Sequence, residues 1–496
     1  FTLPRSTPEA QGVASRAILN YLDALEEKQF KMHSMMLLRH GHVIAEGWWK
    51  PYAPEHKRYV YSLSKSFTSS AFGFAVAEGL LTVEDKVISF FPDDLPEEVS
   101  DNLAAMRIKD LLTMTTGHEE DATMGMVAKG QHNWVKGFLS LPVQRKPGTL
   151  FVYNSAATYM VSAIVTKVTG QSVLDYLMPR LFEPLGISDI TFDTCPKGIN
   201  TGGWGLSIRT EDIAKFGQLY LQKGIWNGNQ ILPAAWIEEA TSAVVRNDGE
   251  GRENDPTDWR QGYGYQFWRA RHNAYRGDGA FGQYCLVMPD QDAVLVITSD
   301  TGDMQGILDL VWEHLLPAME KDALPENADA EALQKRLEFL ALEIPSKAAV
   351  PADVVDLNGK MFVLNDNQTG LVSVSFNFSD DGCTMKLEDQ LGTHLVEFGN
   401  GEWKENFDRM AFMKATMIQL WGGAPPMQEY KFSAAGTWED DEYSATMHYL
   451  ETPHREYLTA TFEDDKLTLK IHSSMVNPDD PESAHIETKF IGKLTD

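Results

Sequence analysis

Up to Met319 the spacing of apolar positions changes repeatedly along the chain, and each change marks an element. Ile18, Leu19, Leu22 and Leu25 recur on one side of a helix over Arg16–Lys28. Met35 to Leu38, a turn at His40-Gly41-His42 and Val43 to Ala45 read as a hairpin. Val60 and Tyr61 are extended, and an apolar helix follows over Thr68–Leu81. A polar, turn-rich passage leads to a helix that starts at Ile108 and ends at Thr116-Gly117. The polar stretch from there to Gly130 predicts a loop, either mobile or forming the rim of a site.

A strongly apolar helix is predicted over Ala156–Thr169, closed by Gly170. The glycine-rich turn Gly202 to Ser207 enters a helix over Thr210–Gly224. It is either a tight connection or a backbone-lined wall beside a site. Gly262–Trp268 alternates like a strand with an aromatic face. Arg276–Tyr284, Cys285–Met288 and Ala293–Thr298 read as further antiparallel strands, with a turn at Pro289 to Asp292. Gly277, Gly279 and Gly282 make a poor strand, and predict a bulge or a place where something approaches the backbone. Leu308–Met319 is the last helix of this part.

Leu324–Pro351 is charged, Ala-rich and helical around Ala330–Leu342, and reads as a linker helix. From Ala352 the period becomes two, as in Val372, Val374, Phe376 and Phe378, and in Leu467, Leu469 and Ile471. The expected organisation is a first domain over 1–323, the linker over 324–351, and an all-β barrel or sandwich over 352–496. The last is read as a packing partner or lid support in preference to a binding module.

Composition narrows the function. A net charge of −28 over 496 residues repels nucleic acid and anionic membrane surfaces. No apolar run approaches the length of a bilayer span. Three widely separated cysteines, Cys195, Cys285 and Cys383, show neither a disulfide framework nor metal-ligand spacing and suit a reducing cytoplasm. The chain starts at Phe1, which leaves a removed N-terminal segment open. His40-Gly41-His42 lacks a third ligand, so no metal site is expected there. Oligomeric state is not encoded in these patterns.

Within this frame one stretch carries chemistry. Ser62 and Lys65 lie three apart, on one face of a helical turn between an extended segment and an apolar helix. A serine hydroxyl is a weak nucleophile until a neighbour takes its proton, and a lysine does so when burial lowers its pKa. The Ser62 N–H, at the first turn, is free to meet a developing oxyanion. The plain alternative is a serine N-cap followed by a solvated lysine. Ser-x-x-Lys arises by chance ~1–2 times in a chain of this length; here it occurs once, where a bare lysine in a core is costly. Tyr153, on the loop into the helix at Ala156, either caps the core with its hydroxyl in water or acts as a general acid/base, ionised or proton-relaying beside a lysine.

Ser62-x-x-Lys65, Tyr153-x-Ser155 and the glycine strand Gly277 to Gln283, in this order, resemble the β-lactamase and penicillin-binding-protein superfamily of serine hydrolases. The branch is the class C-like one that also holds esterases, D-aminopeptidases and nylon-oligomer hydrolases. The resemblance covers residues up to about 320 and implies an α+β fold, a five-stranded antiparallel sheet flanked by helices with an all-helical lobe, and the site between them. It implies Ser62 as the acylated nucleophile, Lys65 as its proton-relay partner and Tyr153 as base and then acid. The N–H groups of Ser62 and Ala280 would form the oxyanion hole, and Asn154, Ser155, Trp204, Arg276, Gly279, Phe281 and Gln283 would line the substrate. No cofactor or metal is implied.

Two departures bear on substrate. Ser155 stands where the family's tyrosine motif ends in Asn, with Asn154 beside it. Gly277-Asp278-Gly279 lacks the Lys or His that holds a β-lactam or peptide carboxylate, leaving Arg276 or nothing for that task. The expected function is cleavage of an ester, amide or small peptide through a Ser62 acyl-enzyme. The alternatives are a β-lactamase or D,D-peptidase, and a non-catalytic binding protein on the same fold.

Overall fold

The hairpin at His40-Gly41-His42 forms as β1 (Met32–Arg39) and β2 (His42–Trp48). Strands β3 (Trp268–Arg269), β4 (Tyr275–Gly279), β5 (Gln283–Met288) and β6 (Ala293–Ser299) complete an antiparallel sheet, in the order β2-β1-β6-β5-β4-β3. Every residue of β1, β5 and β6 is buried, as befits central strands covered on both faces. The computed structural model describes residues 2–249, 257–422, 428–476 and 488–495.

The sheet has six strands where five were expected. Gly262–Trp268 is not a continuous strand, because Gly262 (φ 105°) and Gln266 (φ 66°) take left-handed conformations that break the pleat. Trp268–Arg269 joins the sheet as the short edge strand β3, and Tyr263 makes isolated bridges to Val245 and Trp268. The stretch Arg276–Tyr284 is split likewise, since Phe281 (φ 67°) and Gly282 (φ 86°) turn the chain between β4 and β5. Gly277 and Gly279 mark close approach: a Cβ at Gly279 would lie 2.0 Å from the Val60 carbonyl oxygen.

Helix α1 (Ser15–Glu27) buries Ile18, Leu19, Leu22 and Leu25, as their spacing requires. Helix α2 (Ser64–Ala77) begins earlier than its apolar run suggested, after a single 3₁₀ turn at Tyr61–Leu63, and is buried from Ser64 to Ala75. It stops before Gly79 (φ 73°), leaving Leu80 exposed. Helix α3 (Ser155–Thr169), closed by left-handed Gly170, packs on α2, and α4 (Thr210–Leu221) covers β5 and β6. Part of the expected loop up to Gly130 is a helix, Thr123–Gly130, anchored by buried Met126.

The chain divides into two compact units, Phe1–Trp48 with Lys57–Leu340, and Trp49–His56 with Ala341–Asp496. The expected linker contains the break at Leu340/Ala341. Its helix, α5 (Ala328–Glu338), belongs to the first unit: Leu333 is buried and Arg336 pairs with Glu26 of α1 at 2.5 Å.

The second unit is a closed barrel. Its strands are β7 (Met361–Leu364), β8 (Ser373–Ser379), β9 (Gly382–Asp389), β10 (Gly392–Gly399), β11 (Lys404–Asp408), β12 (Tyr430–Glu439), β13 (Glu442–Tyr449), β14 (Arg455–Glu463), β15 (Lys466–Ser473) and β16 (Thr488–Leu494). Nine close a ring in the order β10-β9-β8-β7-β16-β15-β14-β13-β12, shut by a parallel pairing of Gly399 with Ala435, while β11 flanks β12. Alternate residues fill the interior, including Phe362, Phe376, Met385, Phe398, Leu469 and Phe490. Val372, counted into that stripe from sequence, is 54% exposed because β8 starts one residue later. Where β10 diverges from β12, the Asn406 carboxamide of β11 accepts from the Glu397 N–H (2.9 Å) and donates to the Glu397 carbonyl (2.9 Å).

One barrel cluster is a pH-dependent clamp. His394 of β10 places Nε2 3.0 Å from Asp389 Oδ1 and Nδ1 2.8 Å from Asp408 Oδ1, a geometry satisfied by imidazolium, which donates from both nitrogens. Burial pulls the imidazole pKa down, but hydrogen bonds to the two carboxylates hold it above its ordinary value. The clamp therefore contributes stability fully below the unfolded pKa of ~6.5, and this is lost as pH rises through the raised folded value. The difference in melting temperature between wild type and His394→Gln, followed from pH ~5.5 to ~8.5, is expected to shrink as this loss sets in.

Candidate active site

Tyr61 takes a left-handed conformation (φ 47°) as the first residue of the 3₁₀ turn, so the chain swings sharply where β4 meets it and Ser62 emerges at the entrance of α2. Tyr61 is held by ring contacts to Tyr59 and Phe281. As the second residue of that turn, Ser62 carries a backbone N–H that has no intrahelical acceptor. One helical turn on, the Lys65 side chain is buried (2% exposed), and its Nζ has three oxygen partners: Ser62 Oγ at 3.0 Å, Ser155 Oγ at 2.9 Å and the Gly203 carbonyl at 2.8 Å.

The glycine-rich turn is thus a backbone wall of the site. Gly203 packs so closely on α3 that a Cβ would meet the Ser155 carbonyl at 2.9 Å. Burial depresses the Lys65 ammonium to about 7, against the opposing pull of the Asp121 and Asp278 carboxylates. At neutral pH a large fraction is free amine. A free amine has two N–H groups and one lone pair; Gly203 O can only accept, so the lone pair is available to the hydroxyl of Ser62 or Ser155.

The Tyr153 phenol stands near Ser62, whose hydroxyl pulls its pKa down, and Lys65 Nζ lies 4.7 Å from the centre of its ring. The ring stacks on Trp268 (5.1 Å, 29°) and meets Tyr263 edge-on. Burial, reinforced by the Asp278 charge, raises the Tyr153 phenol well above its ordinary value, although Ser62 and Arg276 oppose this. The ionised-tyrosine reading is therefore set aside: this phenol is neutral, and Lys65 is the group poised near pH 7.

Other expected residues are placed differently. Asn154 is fully buried as the N-cap of α3: its Oδ1 accepts from the N–H groups of Ala156 (3.1 Å) and Ala122 (3.2 Å), so it fastens the loop to the helix instead of facing substrate. Gln283 is buried too; its amide donates to the carbonyls of Ala280 (3.1 Å) and Ser299 (2.7 Å) and holds the β4–β5 turn. Arg276 is fully buried, with Nε donating to Asp278 at 2.7 Å and Nη1 to the Asp258 carbonyl at 2.8 Å, so its charge is matched within the protein. Ser155 touches Lys65. Half-buried Ala280 and Phe281 form the turn after Gly279, and half-buried Trp204 lies against Trp134 (6.0 Å). Sequence reading missed the aromatic backing of Tyr153 and the reach of Asp121, because neither has a local signature.

A seryl hydroxyl against a buried, pKa-depressed lysine, with a phenol beside it, on an antiparallel sheet flanked by helices, defines a serine hydrolase. The chain belongs to the Beta-lactamase family, whose profile matches residues 20–313. It is 24% identical over 318 residues to the 6-aminohexanoate-dimer hydrolase of Paenarthrobacter ureafaciens, spanning 60% of this chain and 80% of that protein. Penicillin-binding protein 4 of Amycolatopsis lactamdurans is 23% identical, over 53% of this chain and 77% of its own length. The structure of EstCE1, a hydrolase with promiscuous acyltransferase activity, superposes with a TM-score of 0.50 at 17% identity, over 60% of this chain and 99% of that one, a likeness of fold. No helix among the described residues is long and apolar enough to cross a membrane.

Proposed function

We propose that the protein cleaves an ester, amide or small peptide through an acyl-enzyme on Ser62, without a cofactor. The observation that carries this is the 3.0 Å contact between Ser62 Oγ and a buried amine poised near pH 7. Lys65 takes the Ser62 proton as Oγ bonds to the acyl carbon. The N–H groups of Ser62 and Ala280 receive the oxyanion. Tyr153, neutral at rest, protonates the departing alkoxide or amine and recovers its proton from the Lys65 ammonium. Water then attacks the acyl-enzyme, giving up its proton through Tyr153, and Ser62 leaves with a proton restored.

Gly279, Phe281, Trp204 and Ser155 border the substrate in this reading. Pairing of Arg276 with Asp278 leaves no free guanidinium there for a substrate carboxylate, which favours neutral acyl compounds over β-lactams and peptide C-termini. The free, buried cysteines Cys195, Cys285 and Cys383 support placement in the cytoplasm. Intact-mass spectrometry of the chain exposed to p-nitrophenyl esters, D-amino-acid amides and β-lactams tests the proposal. The expected result is a transient acyl adduct on Ser62 with esters or amides; turnover of nitrocefin as the dominant activity would replace this substrate class.

A further inference from the structure

Asp278 stands beside this site with no place in the chemistry above. On β4 it alternates with the two glycines that let the strand approach the Ser62 turn, and it is 6% exposed. Arg276 Nε grips its carboxylate at 2.7 Å, and the Trp268 indole lies near enough to help lower its pKa. The guanidinium is itself stacked, 4.4 Å from the ring of Trp259 and 5.7 Å from that of Trp268. Trp268 carries Tyr153 on its face. A chain of contacts therefore runs from Asp278 through Arg276 and Trp268 to the phenol beside Ser62. Packing alone is a weak reason for such an arrangement, since apolar residues of similar volume usually stabilise a core at least as well as a buried ion pair.

The geometry points to Asp278 as a positioning residue for acyl transfer: its carboxylate fixes the guanidinium that lies over the indole on which Tyr153 stacks, and adds a negative charge on the strand that abuts the Ser62 turn. The inference rests on the Ser62 reading given above. The charged and titratable groups around Lys65 are Asp121, from the segment before the Thr123–Gly130 helix, Asp278 on β4, and Tyr153. Those around Asp278 are Arg276, Lys65, Tyr153, Tyr263 and Tyr284. Burial raises the Asp278 carboxyl from its ordinary range, and the Arg276 guanidinium, 2.7 Å away, opposes this. Its charge favours the protonated form of Lys65, so removing it moves the Lys65 transition to lower pH.

The test uses the full chain as wild type, Asp278→Asn, Asp278→Ala and Trp268→Phe, with p-nitrophenyl butyrate hydrolysis followed against pH and fluorophosphonate labelling of Ser62. Asp278→Asn keeps the shape and an acceptor for Arg276. Its acid limb is expected ~1 pH unit lower, with KM within about twofold of wild type. Asp278→Ala also frees the guanidinium over the indole, and its kcat should fall ~10–100-fold. Trp268→Phe, which keeps a ring under Tyr153 but gives the guanidinium a smaller face, should lose kcat to a smaller extent. An acid limb that stays in place in the Asn variant overturns the inference, with or without a fall in kcat, and the Asn and Phe variants decide the matter where the Ala chain does not fold. A wild-type chain that takes no label overturns the Ser62 reading itself, an outcome distinct from an unmoved limb in a labelled variant.

Discussion

Ser62→Ala is expected to lower kcat by at least ~10³-fold, with labelling by a fluorophosphonate probe lost altogether. The reason lies in what alanine removes. The amine of Lys65, its contacts to Ser155 and Gly203, and the neutral phenol of Tyr153 all survive the substitution, so binding and oxyanion stabilisation remain. What disappears is the atom to which the acyl group bonds, and residual catalysis must then come from water. KM should change little, because the hydroxyl contributes little to ground-state binding. Deleting a half-buried oxygen also leaves stability nearly unchanged, so a melting temperature close to wild type accompanies the loss. A labelled or active Ser62→Ala chain would place the nucleophile elsewhere.

Lys65→Met should produce the second large effect, a fall in kcat of ~10²–10⁴-fold together with a gain in stability. In the wild type the rate is expected to drop on the acid side of pH ~7, where the amine becomes ammonium and can no longer accept the Ser62 proton; the methionine variant has no such limb. The stability sign follows from linkage. An unfolded lysine keeps its proton up to pH ~10.4, whereas the buried one releases it near 7. Between those values the unfolded state binds more protons at this lysine, so its contribution to wild-type stability rises with pH across that window. At pH 7 and below, the buried ammonium costs on the order of 3–5 kcal/mol, which methionine removes. Denaturant unfolding at pH ~7 and ~9.5 would show wild type and variant converging. A variant less stable than wild type at pH ~7 would contradict this account of the amine.

The motif Ser62-x-x-Lys65 was legible because spacing alone puts both groups on one helical face, and because an apolar flank makes a buried amine conspicuous. Tyr153 was legible as a position but not as a state. Its neutrality is set by Trp268, Tyr263 and Asp278, which are more than a hundred residues away in the chain. Asn154 and Gln283 were expected to line the substrate on the strength of the resemblance alone. In the fold each amide is taken up by backbone groups at a helix start or a turn, a common use of such side chains that sequence does not distinguish. Errors in the sheet share a cause. Alternation over Gly262–Trp268 and Arg276–Tyr284 is interrupted by positive φ at Gln266 and Phe281, residues whose type gives no warning. The barrel was clearer, because period two persists through strands that are paired on both sides.

The Asn406 carboxamide has a consequence for how the C-terminal unit behaves at high concentration. Strand edges recruit other chains by offering unpaired amides, and a barrel abolishes them only where its ring is truly shut. Here the ladder between β10 and β12 is a single residue pair, and beside that seam the side chain of Asn406 supplies the donor and acceptor of a missing peptide group to Glu397. The outward edge passes to β11, whose short Lys404-Glu405-Asn406-Phe407-Asp408 run brings both signs of charge and so gives a second molecule poor footing for intermolecular strand addition.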